Sequence, residues 1–256
     1  METSIRRMTQ AITAIVPDSP TIYQYGSAAM GDFRPGWSDI DLLILTREAL
    51  TGQQADALLT LRQALPIQYP DAKYARSFEG GILPLDAFLK GYPCDVVYWG
   101  TSGQRIKPRH DLSSFDLWEL HHAGRLLHGE DVRSILPIPT SDDLFRDVAV
   151  HLRAIRQHGR GGPSLYAFGW MLDIARGLYT LRHEAVITKT QAAEWALENH
   201  LCPDEEALKR ALAVRRDPLL IRQADTLAFA EALTPAIQGF ASVLQAELAH
   251  MGITTD

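Results

Sequence analysis

The fold of this chain is decided by two runs, Tyr23-Gln24-Tyr25-Gly26-Ser27 and, after a turn-rich loop, Asp39-Ile40-Asp41-Leu42-Leu43-Ile44-Leu45. They predict a strand over Thr21–Tyr25 that breaks at Gly26-Ser27, and a second strand over Asp39–Leu45. Side chains two positions apart on a strand share a face, so Asp39 and Asp41 project together. Paired carboxylates in a buried strand repel each other and lose solvation. Mg²⁺ offsets that cost, because it binds one or two carboxylates together with substrate phosphate oxygens.

The Gly26-Ser27 turn adds groups that suit those phosphates, since it offers backbone N–H groups and a hydroxyl. A Gly-Ser turn after an apolar strand, followed about a dozen residues later by Asp-x-Asp at the start of another, resembles the signature of the nucleotidyltransferase superfamily. The alternative interpretation is a β-turn-β unit in which Asp39 and Asp41 only cap a loop.

The composition is that of an ordinary globular protein. The chain has 256 residues, of which 46% are hydrophobic and 22% charged, with a formal net charge of -6. The acidic balance argues against nucleic acid as the main partner. The N-terminus lacks the apolar run of a secretory signal, and no stretch approaches the ~20 apolar residues of a membrane span. Cys94 and Cys202 lie far apart, which predicts free thiols in a reducing cytoplasm.

The pattern of elements predicts an α/β domain over residues 1–136, with a sheet covered by helices. The superfamily resemblance implies that this is a nucleotidyltransferase-type mixed sheet. Proline-rich Leu136–Thr140 predicts a domain boundary. Beyond it the strand signals stop, so residues 141–256 predict an all-α helical bundle. The predicted elements of the first domain are helices over residues 3–16, Glu48–Leu65 and Ser113–His128, a turn at Glu79-Gly80-Gly81, and a strand over Cys94–Trp99.

A third carboxylate is expected on the strand Cys94–Trp99, whose one charged member is Asp95. One interpretation is that Asp95 only caps the entry to that strand. The other is that Asp95 faces the Asp39/Asp41 pair from a neighbouring strand, as a metal ligand or as the base that takes the acceptor's proton. Asp86 is the rival candidate, although Pro84 makes its surroundings a poorer strand. Glu119 is a further candidate for the base.

The helical half carries a second, more specific pattern: an Arg-x-x-Tyr helix at Arg176, followed by Lys189 six residues before Trp195-Ala196. Together with the first motif, it resembles the aminoglycoside adenylyltransferases that modify streptomycin and spectinomycin. The resemblance implies that Arg176 and Lys189 bind the triphosphate of ATP and that Trp118 contacts the acceptor. From the residues alone, Arg176 pairs with Asp173 one turn away. Lys189 is a solvated lysine in the first turn of a helix that a Thr188/Gln191 capping box is predicted to start.

The resemblance implies Mg²⁺-dependent transfer of AMP from ATP to a hydroxyl of a small molecule, an aminoglycoside-type antibiotic. The cysteine usage and the N-terminus favour a cytoplasmic protein. The sequence does not define the oligomeric state, for which a monomer is favoured. Asp95 stands where that family has a glutamate on the strand. Tyr166 and Gly162 stand where its drug-binding helix has acidic residues. The alternatives are a nucleotidyltransferase with another acceptor (a different small molecule, a protein or an RNA) and a catalytically silent nucleotide sensor.

Overall fold

The computed structural model describes residues 1–101 and 103–253. The chain forms two compact units. The first comprises Met1–Phe33 and Ser38–Ile138, and the second comprises Arg34–Trp37 and the chain from Pro139 onward. The chain passes from the first unit to the second within the proline-rich stretch. The last three residues of the predicted second domain, 254–256, lie outside the described residues.

The first unit is built on a mixed sheet with helices on both faces. Its strands are β1 (Thr21–Tyr25), β2 (Ile40–Thr46), β3 (Phe78–Pro84), β4 (Val96–Gly100), β5 (Gly103–Lys107) and β6 (Arg125–His128). Its helices are α1 (Glu2–Ile15), α2 (Gly26–Ala29), α3 (Gly52–Gln68), α4 (Leu85–Lys90) and α5 (Ser114–His122).

The strands lie in the order β5-β4-β3-β2-β1-β6. Strands β2 and β3 are parallel, and the other neighbouring pairs are antiparallel. The parallel pair requires a crossover, which α3 supplies. The prediction of an α/β first half with a mixed sheet is therefore confirmed.

Alternation along β2 sends its side chains into two different cores. Ile40, Leu42 and Ile44 pack with α1 and α3 on one face. Leu43 and Leu45 pack on the other face, in the cluster that holds Leu120 of α5. Asp41 shares the face of Leu43 and Leu45, so its carboxylate lies at the edge of the second core.

Strands β3 and β6 form where the sequence predicted a turn and the end of a helix. The stretch predicted as a turn at Glu79-Gly80-Gly81 lies inside β3. Gly80 has φ +141, and a Cβ there would overlap the backbone oxygen of Leu42, so glycine lets β3 lie close to β2. The predicted helix Ser113–His128 ends at His122, and β6 follows it as a short edge strand paired with β1.

The second unit is helical, as predicted. Its helices are α6 (Ser141–His158), α7 (Leu165–His183), α8 (Lys189–Glu198), α9 (Glu205–Arg216), α10 (Ala224–Glu231) and α11 (Thr234–His250). The predicted capping box at Thr188 and Gln191 is present and fixes the start of α8. Pro235 lies at the start of α11, where the missing N–H costs no helical hydrogen bond.

Among the described residues, no single helix is long and apolar enough to cross a membrane. Helices α10 and α11 taken together are long and apolar enough for a membrane span, but they meet at a bend of 53°.

Candidate active site

The Asp39/Asp41 pair lies at the entry to β2. The strand begins one residue later than predicted, at Ile40, so Asp39 immediately precedes it and Asp41 is its second residue. Burial raises the pKa of Asp41, and the negative charge of Asp39 is among the further causes that raise it. The structure therefore brings the two predicted carboxylates together.

The third carboxylate of the cluster is Glu79 of β3. In the parallel register of β2 and β3, Glu79 is the direct neighbour of Asp41. Glu79 also forms a side-chain hydrogen bond with Asp39. Its Oε1 accepts a hydrogen bond of 2.7 Å from the Tyr98 hydroxyl. Three carboxylates from two adjacent strands thus meet on one face of the sheet.

Asp95 is not part of this cluster, and the prediction that it faces the Asp39/Asp41 pair was wrong. It is exposed and precedes β4. Val97 pairs with Ile82, so Asp95 lies beside the end of β3 opposite to Glu79. There its charge, with that of Asp86, raises the pKa of Cys94 after the larger effect of burial. The rival candidate Asp86 therefore lies at the wrong end of the sheet as well.

Sequence reasoning missed Glu79 because two glycines follow it and were interpreted as a turn. The signal that could have found it is the apolar pattern on both sides of the glycines, Phe78 before them and Ile82-Leu83 after them. A strand in that place puts a glutamate at its entry, as the Asp-x-Asp strand puts aspartates at its own.

The surroundings of Asp39 and Asp41 are strongly acidic. Burial raises the pKa of Asp41 well above its usual range, and the charges of Asp116, Glu119, Glu79 and Asp39 raise it further. Burial, the charge of Glu79 and the hydrogen bond with Glu79 raise the pKa of Asp39 to about 6.

The opposing cation is Arg62 of α3. Its charge lowers the pKa of Asp39, but its Nη1 and Nη2 donate to the backbone oxygens of Gly100 and Arg76, at 3.1 and 2.8 Å. A site in which carboxylates outnumber cations favours an added cation.

Helix α5 contributes the two remaining acidic groups of this region. Asp116 belongs to a capping box with Ser113 at the helix start. Glu119, named from the sequence as a candidate base, is buried one turn later. Their charges act on Asp41 from outside the sheet. Sequence reasoning gave no role to Asp116, because a capping residue explains it locally.

Gly26 follows β1 directly and has φ +70. A Cβ at this position would overlap the carboxylate of Asp41. The backbone at the start of α2, predicted as a Gly26-Ser27 turn, therefore passes against the Asp41 carboxylate, which a side chain at Gly26 would prevent. The two motifs quoted first from the sequence meet at this contact.

The carboxylates fit a hard divalent cation. Within residues 1–101 and 103–253, no group of three or more His, Cys, Asp and Glu side chains has an arrangement that could hold a metal ion. Mg²⁺ commonly uses one or two carboxylates and takes its remaining ligands from water and substrate phosphates. The acidic surplus around Asp39 and Asp41 fits that mode of binding.

The second unit brings the two predicted cations, Arg176 and Lys189, to one carboxylate. Lys189 Nζ lies 2.9 Å from Asp173 Oδ1, and Arg176 Nη2 lies 3.6 Å from the same oxygen. His151 Nε2 lies 3.7 Å from Asp173 Oδ2. The Asp173–Arg176 pair expected from the sequence is therefore present, but Lys189 is the closer partner, so it is not a freely solvated lysine.

The residues named for the acceptor lie in both units. Trp118 of α5 is half-buried, and its ring stacks on that of His122 with centroids 3.8 Å apart. Tyr166, in the first turn of α7, is 68% exposed. The contacts of Trp118 are those of local helix packing, and its contact with an acceptor stays a prediction.

The fold and the carboxylate cluster define a nucleotidyltransferase. A family model described as "Nucleotidyltransferase domain" matches residues 5–105. A second, described as "Aminoglycoside adenylyltransferase, C-terminal domain", matches residues 136–236. The chain is an enzyme of the aminoglycoside adenylyltransferase family, in which a nucleotidyltransferase domain precedes a helical domain.

A solved structure supports the fold along the whole chain. Spectinomycin adenyltransferase AAD(9) from Enterococcus faecialis, crystallised with ATP and spectinomycin, is similar with a TM-score of 0.67 and 16% sequence identity. The match covers 96% of this chain and 99% of that one. No curated protein sequence matched significantly.

Proposed function

We propose that this enzyme moves AMP from ATP to a hydroxyl of a small molecule and releases pyrophosphate, with Mg²⁺ as cofactor. The observation that carries the proposal is the meeting of Asp39, Asp41 and Glu79 against the Gly26-Ser27 turn, within a domain matched as a nucleotidyltransferase. Carboxylates facing a phosphate-binding turn suit phosphoryl and nucleotidyl transfer, where charge neutralisation and positioning dominate catalysis.

Asp39 and Asp41 are the proposed metal ligands. Their raised pKa values express the cost of keeping both ionised without a cation beside them. A bound Mg²⁺ would supply charge neutralisation for the triphosphate and polarisation of the acceptor oxygen. Asp39 and Asp41 would hold that Mg²⁺ ion at the entry to β2. Strand β2 lies between β3 and β1 in the sheet, and this pairing fixes the positions of the two residues.

Glu79 is the proposed general base, in place of Asp95. In the reaction, the acceptor oxygen forms a bond to the α-phosphorus of ATP, and the bond from that phosphorus to the β-phosphate oxygen breaks. Pyrophosphate leaves with the bonding electrons, and the hydroxyl proton passes to a Glu79 carboxylate oxygen. The hydrogen bond from Tyr98 occupies Oε1 and orients the carboxylate.

Phosphate binding is assigned to Gly26, Ser27, Arg176 and Lys189. The first two offer backbone N–H groups and a hydroxyl beside the carboxylate pair. Arg176 and Lys189 offer the positive charge that a triphosphate and departing pyrophosphate require. The support for their role is their joint position at Asp173 in the domain matched by the second family model.

The proposed acceptor is an aminoglycoside-type antibiotic, with Trp118 as a contact. The C-terminal family model and the similarity to a spectinomycin adenyltransferase support this class. A second candidate is a less cationic hydroxyl compound. It is favoured by uncharged Tyr166 and Gly162, which offer no carboxylate to an ammonium group.

Pyrophosphate release with Mg²⁺, ATP and a panel of acceptors tests these proposals. We expect release with spectinomycin or streptomycin that disappears in EDTA and in Asp39→Asn. Release only with neutral or anionic hydroxyl compounds would support the second candidate. ATP binding without release for any acceptor would contradict both and indicate a nucleotide sensor.

A further inference from the structure

We infer that Asp173 is a positioning residue that holds Lys189 and Arg176 together as one phosphate-binding unit. The inference rests on the proposed function of those two cations. It assigns Asp173 a role beyond a local ion pair of α7, because the carboxylate joins residues of two helices.

The geometry of the cluster is asymmetric. Lys189 is the first residue of α8, and Arg176 is on α7 one turn after Asp173. Both cations approach the same oxygen, Oδ1, at 2.9 and 3.6 Å. Without the carboxylate, the positive charges of Lys189 and Arg176, both within 3.6 Å of the place of Oδ1, would repel each other and the side chains would separate.

The position of Lys189 needs an explanation beyond fold stability. A positive charge in the first turn of a helix lies at the unfavourable end of the helix dipole. Thr188 and Gln191 already cap this helix, so α8 does not need Lys189 in order to start there. Asp173 offsets the cost and keeps the ammonium group at the helix start, where the N–H groups also favour an anion.

Asp173 faces two permanent cations, Lys189 and Arg176, and His151 lies 3.7 Å from its other oxygen. The Asp173 side chain is 13% exposed, whereas those of Arg176 and Lys189 are 23% and 28% exposed. Asp173 is therefore more buried than the two cations that it contacts, and both cations keep accessible surface for a ligand.

The protonation of Asp173 agrees with this role. Burial would raise its pKa, but Lys189, His151 and Arg176 together lower it far below its usual range. The carboxylate therefore stays ionised. Anchored lysine and arginine side chains lose less rotamer entropy on binding a phosphate than free ones.

Calorimetric titration of Mg²⁺·ATP into the full-length protein tests the inference. We expect Asp173→Ala to weaken ATP binding roughly tenfold, and Asp173→Asn, which keeps an oxygen acceptor, to weaken it less. Glu247→Gln is the matched control. It breaks the bidentate contact of Glu247 with Arg182, also on α7, and we expect ATP affinity within about twofold of the original protein.

A double-mutant cycle separates positioning from a general structural role. If Asp173 acts through its cations, Asp173→Asn should lose at least half of its effect in a Lys189→Ala background, whereas a structural defect would add to it fully. Thermal melts of each variant verify folding, and Asp173→Asn serves if Asp173→Ala does not fold.

Two further results would overturn the inference. If Lys189→Ala and Arg176→Ala weaken ATP binding while Asp173→Asn leaves it unchanged or tighter, Asp173 is only a competing counter-charge and the proposed phosphate role stands. If Lys189→Ala and Arg176→Ala both bind ATP normally, the proposed phosphate role fails and the inference fails with it.

Discussion

Partly buried aspartates occur in both units, and their surroundings have opposite charge. Asp39 and Asp41 lie among carboxylates, and their pKa values are raised. Asp173 lies among Lys189, Arg176 and His151, and its pKa is lowered. Burial acts in the same direction on all three, so the sign of the neighbouring charges decides the outcome.

This difference indicates what each cluster can bind. The carboxylates of the first cluster raise one another's electrostatic cost and favour a cation as ligand, whereas Lys189 and Arg176 beside Asp173 favour an anion such as a phosphate. The comparison also shows why a count of acidic residues is uninformative about function. Asp173 and Asp41 are both aspartates, yet their surroundings favour ligands of opposite charge.

Removing one negative charge from the first cluster should have the largest effect. We expect Asp41→Asn to reduce Mg²⁺-dependent turnover by about 10³-fold or more, because a proposed metal ligand is lost. The same change should raise the melting temperature of the metal-free protein, since it removes a buried repulsion. Pyrophosphate release and calorimetric melting measure the two effects. Normal turnover would contradict the metal assignment.

Changing the third carboxylate should have the next largest effect and distinguishes Glu79 from Asp95. We expect Glu79→Gln to lower kcat by roughly 10²- to 10³-fold while ATP affinity changes little, because a general base is lost. Asp95→Asn is the matched control and should retain nearly full activity, since Asp95 is exposed at the far end of β3. The reverse result would restore Asp95 as the base.

Tyr98 tests the positioning of Glu79 with a smaller change. Tyr98→Phe removes only the hydroxyl that donates to Glu79 Oε1 at 2.7 Å. We expect kcat to fall about tenfold, in line with about 1 to 1.5 kcal/mol for one hydrogen bond, with KM for ATP unchanged. Steady-state kinetics with saturating acceptor measure this, and an unchanged kcat would show that the hydroxyl does not orient the base.

The smallest expected effect is on the pH dependence of the free energy of unfolding, which should have opposite signs for Asp39 and Asp173. Asp39 has a folded-state pKa of about 6 against an ordinary value of 3.8, so its protonated form stabilises the metal-free fold. That contribution is present below pH 3.8 and is lost as the pH rises through 6. The lowered pKa of Asp173 contributes stability above its ordinary pKa, which is lost as the pH falls below it.

Urea denaturation of the metal-free protein between pH 4 and 7 measures the first contribution. We expect Asp39→Asn to make the free energy of unfolding less dependent on pH in this range. A slope equal to that of the original protein would contradict the raised pKa of Asp39.

Local patterns were enough for much of the fold. Strand β1 and the capping box of α8 follow from short-range signals, and both are as predicted. The short edge strand β6 has no comparable signal of its own, because its formation depends on pairing with β1. The same holds for β3, whose glycines make sense only beside Leu42 of β2.

The candidate site shows the same limit. The pair Asp39/Asp41 is visible from alternation along one strand. The neighbour of Asp41 depends on a parallel register set across α3, so Glu79 could not be identified from spacing. In the second unit, the sequence showed Asp173 and Arg176 one turn apart on a helix, whereas the contact of Asp173 with Lys189 depends on how two helices pack.

The close approach of Gly26 to Asp41 has a consequence for how this gene can vary. Every other amino acid brings a Cβ, and a Cβ at Gly26 would overlap the Asp41 carboxylate in a backbone conformation that already disfavours side chains. No missense codon is therefore neutral there. In a saturation-mutagenesis selection for catalytic function, we expect only synonymous glycine codons to survive at position 26.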